Sequence, residues 1–445
     1  MPRVLLLATT TGYQTRSFGE AAERLGVDLV LATNRCDVLE DPWRDGAIPV
    51  RFHDEVGAID AILAAHRARP IDGVLVVGDR PTMIAARVLE ALGLPGHSPE
   101  AVAAARNKRR SRERLRDAGL PVPWFVSTTI DADPDEVTQS IQYPCVIKPL
   151  ALSASRGVMR ANDAQEFVAA FRRLRALLRS PEVRVEQDEA HEMALVEGFI
   201  PGREYAVEGL LHHGALIVLA IFDKPDPLDG PFFEETIYVT PSIAPAAIQE
   251  AIAATTERAA RALGLRHGPI HAECRVNPEG VFVLEVAARP IGGLCASALQ
   301  FERAGSGEAG CGIRAPSPQP LVPLEEVLLR HALGESPDDW VRERRPSGVM
   351  MIPIPRRGVF RRAEGIEEAR RVPGIDDLRI TAKTDQLLVP LPEGASYLGF
   401  IFAHGDSPAD VERALRAAHA RLDFVIDHEI PVLAGKADPV QSPHG

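Results

Sequence analysis

Cysteine and long apolar runs are scarce in this 445-residue chain. Its five cysteines are scattered and share no CxxC spacing, which argues against a zinc ribbon or a disulfide framework and favours reduced thiols. No run approaches the ~20 apolar residues that a membrane helix needs. The first apolar run, VLLLAT, is too short for a secretory signal. We therefore expect a cytoplasmic protein without a membrane partner.

Excess positive charge and two common functional patterns are also missing. The net charge is -12, which argues against nucleic acid as a partner. No GxGxxG motif follows the first predicted strand, so the usual dinucleotide fingerprint is absent. No convincing Ser-His-Asp or Cys-His set is found. What is present, 45% hydrophobic and 25% charged residues, is typical of a globular protein of roughly two to four domains.

The first 97 residues alternate predicted strands with predicted helices. The apolar segments VLLLAT, DLVLAT and DGVLVVGD are each followed by a helical segment. Such alternation favours a parallel sheet with helices on both faces. We therefore predict an N-terminal Rossmann-like α/β domain over residues 1–97.

The rest of the chain divides at a break in composition. Residues 98–300 begin with a well-capped helix, and the part at about 121–205 differs in character and predicts a subdomain. Residues 301–319 are rich in Gly, Ala, Ser and Pro, which predicts a mobile break. Residues 301–430 predict a small α+β domain, and residues 431–445 a disordered tail.

Two glutamates lie on neighbouring predicted strands, in the stretch HAECRVNPEGVFVLEVAARP. The strands flank Asn277-Pro278-Glu279-Gly280, where the proline and the glycine predict a three-residue loop with a bulge at the glycine. This turn would place Glu273 directly opposite Glu285, whereas a two-residue loop would shift the register and separate them. The same face of the hairpin would carry three more residues: His271, Ala287 and Arg289.

Facing glutamates repel each other and destabilise an antiparallel pair. A divalent cation between Glu273 and Glu285 removes this repulsion, and Mg²⁺ typically takes one or two carboxylates and completes its shell with phosphate oxygens and water. Taken alone, the pattern is equally compatible with two solvated side chains on an exposed sheet face. The remaining motifs decide between these interpretations.

Three motifs occur in order before the hairpin. A basic helix carries Lys108, VIKP carries Lys148 just ahead of a loop of small residues, and VEGFIPGREY carries Glu197 and Glu204 around a turn. With the E-x11-E-x3-R spacing of the hairpin, this ordered set resembles the core of the ATP-grasp ligases over residues 98–295. The resemblance implies an α/β protein with an ATP-grasp fold. The flanking regions would be the family's pre-ATP-grasp and C-terminal domains, and the subdomain would be its lid.

The resemblance implies a site for ATP. Lys108 and Lys148 would neutralise the phosphates, and the small-residue loop would cover them with backbone N–H groups. The hinge after Glu197 would read the adenine edge, and Glu204 would bind the ribose. The loop has less glycine than is usual for the family, and the role of its Arg156 is open. The implied ATP ligands are Lys108, Lys148, Ser153, Ser155, Gly157, Glu197, Phe199, Ile200 and Glu204.

For the hairpin, the resemblance implies a metal site. Glu273 and Glu285 would hold Mg²⁺, with Mn²⁺ as a substitute, and Arg289 would be the catalytic arginine that stabilises an acyl-phosphate. Many relatives have Asn where this chain has Ala287. This departure implies fewer protein ligands, more water, or compensation by His271.

The implied reaction joins a carboxylate to an amine through an acyl-phosphate, with release of ADP and phosphate. Within the superfamily, the entry to the core, the segment FFEETIYVTPS and the C-terminal motifs are most similar to the L-amino acid (dipeptide) ligases. Amino acids are therefore the expected substrates, and a homodimer is a possible assembly because dimers are common among relatives. The residues expected near the amino acid are Glu234, Glu235, Thr236 and His271.

Two other functions stay open at this point. An ATP-grasp carboxylase of the biotin or purine-pathway type would share the ATP core, but no motif identifies a bicarbonate or phosphoribosyl site. A non-catalytic ATP-binding protein would account for Ala287 and for the glycine-poor loop. Retention of both lysines, both glutamates and Arg289 argues against it.

Overall fold

The computed structural model describes residues 1–9, 14–34, 47–303 and 320–428. Nearly all of the predicted mobile break and the whole predicted tail lie outside the described residues. No described helix combines the length and the apolar character needed to cross a lipid bilayer.

The N-terminal region forms the parallel sheet that its alternating pattern predicts. The strands lie in the order β3-β2-β1-β4, and all pairs are parallel. Helices cover the sheet, which explains why the central strand is a continuous apolar run. The elements are β1 (Arg3–Ala8), α1 (Thr15–Leu25), β2 (Asp28–Thr33), β3 (Ile48–Pro49), α2 (Glu55–Ala68), β4 (Gly73–Val77) and α3 (Thr82–Leu92).

A pair of helices and a small antiparallel sheet follow. The first helix begins as predicted, because the Ser98 side chain accepts a hydrogen bond from the N–H of Ala101 at 3.2 Å. The strands lie in the order β5-β8-β6-β7, with one long helix packed against them. The elements are α4 (Pro99–Arg106), α5 (Lys108–Asp117), β5 (Phe125–Thr129), α6 (Pro134–Val137), β6 (Cys145–Pro149), β7 (Met159–Ala161), α7 (Ala164–Leu178), α8 (Pro181–Arg184) and β8 (Met193–Gly198).

An eight-stranded antiparallel sheet forms the centre of the molecule. Its order is β13-β12-β9-β10-β11-β17-β21-β19, so strands from before and after the composition break share one sheet. The elements before the break are β9 (Arg203–His212), β10 (Ala215–Asp223), β11 (Ile237–Thr240), α9 (Ala246–Leu263), β12 (Gly268–Asn277), β13 (Gly280–Ala287) and β14 (Gln300–Arg303). Those after it are β15 (Val322–Pro323), α10 (Leu324–Ala332), β16 (Trp340–Arg342), β17 (Ser347–Ile352), β18 (Gly358–Glu364), α11 (Ile366–Arg370), β19 (Ile375–Ile380), β20 (Leu387–Leu388), β21 (Gly399–His404), α12 (Pro408–His419) and β22 (Asp423–Asp427).

The β12–β13 hairpin places the two glutamates opposite each other, but the predicted turn is wrong. Asn277 pairs with Gly280, so the loop has two residues and not three. A register shift beside Glu273 leaves Leu284 as an extra residue, and it restores the pairing of Glu273 with Glu285. A bulge of this kind bends a strand and re-aims its side chains, often next to a functional site.

Candidate active site

One cavity of about 390 Å³ gathers most of the predicted site residues. Its wall is formed by residues of the small sheet, the central sheet, the loop after β4 and the loop before β21. Gly157, Glu234 and Thr236 are not part of its wall. The predicted residues that line it are Lys108, Lys148, Ser153, Ser155, Glu197, Phe199, Ile200, Glu204, Glu235, His271, Glu273, Glu285 and Arg289.

Lys148 is held at the cavity by a buried carboxylate. Its ammonium group contacts Glu197, which also takes a two-point contact from Arg112 at 2.8 and 3.2 Å. Burial alone would raise the pKa of Glu197, but Arg112 and Lys148 outweigh it and lower the pKa to about 2. Burial lowers the pKa of Lys148 to about 8, although Glu197 opposes this shift. The Glu197 side chain therefore orients a cation.

Arg112 joins this group to the metal hairpin. It is almost fully buried, and it donates to the carbonyl oxygens of Val283 at 3.2 Å and Leu284 at 3.0 Å. Leu284 is the extra residue of the bulge, so a single guanidinium group supports both Glu197 and the distortion that aligns the glutamates. Sequence analysis missed Arg112 because it lies among the other arginines of α5.

Lys108 approaches the same hairpin from the start of α5. Its ammonium donates to the carbonyl of Leu152 at 2.7 Å and lies 3.5 Å from the Glu285 carboxylate. The lysine thus connects the small-residue loop with one of the two facing glutamates. This position suits a cation that contacts negative charge between them.

Lys224 is a second residue that sequence analysis missed. It follows β10, it is buried, and its ammonium contacts Glu204 at 2.8 Å, Glu273 at 3.2 Å and also Glu235. Burial would lower the pKa of Lys224, but these carboxylates raise it well above its usual value. The signal for it in the sequence is its position in FDKPDP, two residues after the apolar run LIVLAIF.

The pKa values of two of the carboxylates around Lys224 shift in opposite directions. Burial and the neighbouring Glu273 raise the pKa of Glu235. Burial would also raise the pKa of Glu273, but Lys224 and His271 outweigh it and lower that pKa well below its usual value. Glu204, Glu235 and Glu273 have oxygens within 4.8 Å of one another, and the ammonium of Lys224 contacts all three.

The donor set of the hairpin fits a magnesium ion. The Glu273 and Glu285 side chains are 25% and 28% exposed, and both face the cavity. Two partly exposed carboxylates that leave room for phosphate oxygens and water are what Mg²⁺ typically takes. Lys108 and Lys224 flank the pair, so the hairpin tolerates its like charges.

His271 is engaged with acidic residues and is unsuited to compensate for Ala287 as a metal ligand. Its Nδ1 lies 3.1 Å from the buried carboxylate of Glu208, which accepts a hydrogen bond from the N–H of Ile291. Burial would lower the pKa of His271, but Glu208 and Glu273 raise it to about 9. An imidazole nitrogen is also a poor ligand for Mg²⁺, so the ring is a partner of the carboxylates.

Arg289 is oriented by a residue of the N-terminal region. Asp79, just after β4, accepts hydrogen bonds from its Nε at 3.0 Å and from its second terminal nitrogen at 2.9 Å. Burial would raise the pKa of Asp79, but Arg289 outweighs it and lowers the pKa. The two-point contact fixes the plane of the guanidinium. Sequence analysis missed Asp79 because no motif marks it.

The small-residue loop is held in an uncommon backbone conformation. Ala154 and Ser155 have φ angles of 54° and 53°, a region that non-glycine residues rarely adopt. The N–H of Gly157 donates to the carbonyl of Pro392 at 2.8 Å. Arg156 donates to the carbonyl of Glu393 at 2.6 Å and to the carboxylate of Glu182 at 2.9 Å. Arg156, whose role the sequence left open, therefore helps to hold the small-residue loop against the loop before β21.

In the hinge after β8, the N–H of Ile200 is a backbone donor without a partner among the described residues. The N–H of Phe199 donates to Pro144 and the carbonyl of Ile200 accepts from Arg275 at 2.7 Å. Within the described residues, nothing accepts the N–H of Ile200. Arg275 also binds Glu204 at 2.9 Å, so Glu204 and the hinge form one connected unit. Glu197 and Glu204 are both buried, so neither is a solvated acid at the turn.

Comparisons with known proteins agree with this architecture. Three family models match the chain: the ATP-grasp N-terminal domain at 19–96, the ATP-grasp domain at 141–298, and the L-amino acid ligase C-terminal domain 2 at 350–427. The solved L-amino acid ligase from Bacillus licheniformis superposes with a TM-score of 0.79 and 26% identity, over 96% of this chain and 99% of that one.

Two curated relatives differ in how much they align. An uncharacterised protein of Sinorhizobium fredii is 27% identical over 96% of this chain and 84% of its own length. Alanine–anticapsin ligase of Bacillus subtilis is 27% identical over 43% of this chain, which spans less than half (42%) of that protein.

The fold and the order of its three domain types define the class: the chain belongs to the ATP-grasp superfamily. More particularly, it is an ATP-grasp ligase, an enzyme of the group that forms carbon–nitrogen bonds, and it is similar over nearly its whole length to an L-amino acid ligase.

Proposed function

We propose that this ligase activates the carboxylate of an amino acid with ATP and joins it to the amino group of a second amino acid. One observation carries the proposal. A single cavity brings the cations Lys108, Lys148 and Arg289 together with the facing pair Glu273 and Glu285. Such a set binds phosphate groups and stabilises negative charge that develops during phosphoryl and acyl transfer.

The ATP end of the cavity lies between the hinge and the small-residue loop. The free N–H of Ile200 is placed to recognise the adenine edge, and the Glu204 carboxylate is placed for the ribose hydroxyls. Lys108 and Lys148 would contact the phosphates, and the strained backbone at Ala154 would turn N–H groups toward them. Contacts of the loop with the segment before β21 support a closed, water-excluding arrangement.

Glu273 and Glu285 would hold Mg²⁺, or Mn²⁺ in its place. When bound there, the metal supplies Lewis-acid neutralisation of phosphate charge. Arg289, oriented by Asp79, is placed to stabilise the negatively charged oxygens of the acyl-phosphate and of the tetrahedral species that follows. Because Glu235 has a raised pKa and lines the cavity, it is placed to accept a proton from the incoming ammonium group.

The far wall of the cavity indicates what one substrate carries. It is apolar, with a glycine pair beside it that leaves space for a side chain. The lining residues are Tyr238, Gly292, Gly293, Cys295, Met351, Tyr397 and Phe400. We propose that this wall takes an apolar amino-acid side chain, because burial of apolar area favours such a ligand. The expected roles of Glu234 and Thr236 stay predictions, as do a homodimer and the cytoplasmic location.

The test is a matrix of amino-acid pairs with ATP and Mg²⁺, read as phosphate release and product mass. Release that requires two amino acids, with a product mass equal to their sum minus water, is expected. Release that requires bicarbonate instead would favour a carboxylase and overturn the proposal. Tight ATP binding without release in any well would favour a non-catalytic role. Glu285→Gln is the control that separates this activity from a contaminating ATPase.

A further inference from the structure

Four histidines lie together at the end of the central sheet, away from the cavity. His212 ends β9, His213 is in the turn to β10, His267 precedes β12, and His331 lies near the end of α10. Along β9, His212 is eight residues from Glu204, which corresponds to roughly 26 Å. The cluster is therefore separate from the ATP site, and it does not depend on the proposed function.

Strand pairing brings three of these rings together. Gly268 pairs with Leu211, so the antiparallel register places His267 beside His212. The N–H of Gly214 donates to the carbonyl of Arg266 at 2.7 Å, which fastens the turn to the loop before β12. His212, His213 and His267 each offer a ring nitrogen within 4.8 Å of the others.

The ring nitrogens of this group are available as ligands. His267 is 8% exposed, and its buried Nδ1 has no hydrogen-bond partner. A neutral imidazole is the form that binds metals, and the rings of His212 and His213 lie 5.4 and 5.0 Å from that of His267 between centroids. No ion pair links an acidic side chain to these rings within the part of the chain that the structure describes.

Two further histidines support the group without completing it. The Nε2 of His331 lies 3.3 Å from the Nδ1 of His212, and its ring stacks on His267 at 4.4 Å between centroids. His97 has both nitrogens occupied, by the N–H of Arg266 at 3.2 Å and the carbonyl of Pro269 at 3.3 Å. His97 therefore positions the loop that carries His267, and His331 orients His212.

We propose that His212, His213 and His267 form a binding site for a divalent transition metal, Zn²⁺ by preference, that fastens the β9–β10 turn to the loop before β12. Imidazole nitrogens suit Zn²⁺, Cu²⁺ and Ni²⁺ and suit Mg²⁺ poorly. A tetrahedral zinc ion separates its nitrogen ligands by about 3.3 Å, so small side-chain rotations close the observed spacing. Water would complete the shell.

The experiment uses the full chain without a histidine tag, freed of metal by chelation and kept in saturating Mg²⁺ so that the carboxylates of the ATP site are occupied. Zn²⁺ binding is followed by calorimetry, and Co²⁺ is used as a spectroscopic probe of imidazole ligation. We expect one equivalent of Zn²⁺ to bind, a tetrahedral Co²⁺ spectrum, and a higher melting temperature with Zn²⁺.

Three variants make the test specific. His213→Asn keeps an exposed turn whose φ of 52° asparagine tolerates, and it should weaken Zn²⁺ binding by about tenfold or more. His267→Ala should do the same, while the exposed His53→Gln should bind like the wild type. Absence of Zn²⁺ binding in Mg²⁺, or equal binding by His213→Asn and His53→Gln, would overturn the proposal. So would a melting temperature that Zn²⁺ does not raise, which would make the cluster a packing feature only.

Discussion

The β9–β12 strand pair carries a cluster of glutamates at one end and a cluster of histidines at the other, and among the described residues only the glutamates are paired with charged partners. At one end, the buried Glu204 and the partly exposed Glu273 lie beside Glu235, and Lys224 and Arg275 compensate part of their charge. At the other end, His212, His213 and His267 meet with no acidic partner among the described residues. Charged groups need counter-ions when they leave water, whereas imidazoles avoid that cost by staying neutral. The glutamate end is thus built for charge, and the histidine end for a ligand that neutral nitrogens bind.

Removal of the central cation should break the glutamate end most strongly. Lys224→Met removes the cation that contacts all three carboxylates, although Arg275 still pairs with Glu204, and we expect a loss of about 3–5 kcal/mol in the free energy of unfolding. Urea denaturation at neutral pH measures it. Adding Glu235→Gln to this variant should recover part of the loss, because one repelling charge is removed. A loss below about 1 kcal/mol would show that Lys224 is not the compensating charge.

Neutralising one glutamate of the hairpin should abolish most turnover without unfolding the chain. Glu285→Gln removes a proposed Mg²⁺ ligand, and we expect the rate of phosphate release to fall by about 10²–10³-fold, as for loss of one charge-stabilising group. Glu279→Gln, at the exposed tip of the same hairpin, is the matched control. Wild-type turnover in Glu285→Gln would mean that the metal assignment is wrong.

Glu325, a buried carboxylate on α10, has a pKa that is set mainly by burial and not by neighbouring charges. Burial raises the pKa of Glu325 to about 7, and the charge of Arg24 opposes this only in part. As the pH rises, the carboxyl group of Glu325 loses its proton in the unfolded chain before it does so in the folded chain. Its contribution to the free energy of unfolding is therefore fully present below about pH 4.5 and is lost as the pH approaches 7.

The corresponding variant is Glu325→Gln. Its free energy of unfolding, relative to the wild type, should improve by up to about 3 kcal/mol between about pH 4 and pH 8. Urea denaturation across this range measures the difference. If this difference in free energy of unfolding did not change with pH, Glu325 would have the same pKa in the folded and unfolded chains. Burial would then not set it apart from the compensated glutamates.

Loss of the Arg156 contacts should have the smallest effect on stability and activity. Arg156→Ala removes a hydrogen bond to the Glu393 carbonyl and an ion pair with the exposed Glu182, and solvent limits the contribution of such an ion pair to stability to about 1 kcal/mol. We expect a higher KM for ATP, by about tenfold or less, because the small-residue loop closes less well. Arg172→Ala, an exposed arginine on α7, is the control. An equal change in both variants would show that the loop contact has no specific role.

Much of the architecture was readable from local patterns. The alternation in the first 97 residues predicts the parallel sheet, and Ser98 with Pro99 predicts the start of α4. The ordered motifs predict which residues gather in the cavity. The facing pair Glu273 and Glu285 was predicted correctly from an incorrect turn, because the bulge at Leu284 offsets the one-residue difference in loop length.

The sequence by itself determined the class of the protein, because a motif is a local property: strand periodicity, capping residues and the spacing of Lys148, Glu273, Glu285 and Arg289. Only the tertiary structure decided what each charged group contacts. Asp79 and Arg289 are 210 positions apart, and the histidine cluster combines residues of one strand, a turn, a loop and a helix. A carboxylate or an imidazole has no partner until the chain is folded, since pairing depends on distances of 3–4 Å in space. That is why Arg112 and the proposed zinc ligands carry no signal in the linear order of residues.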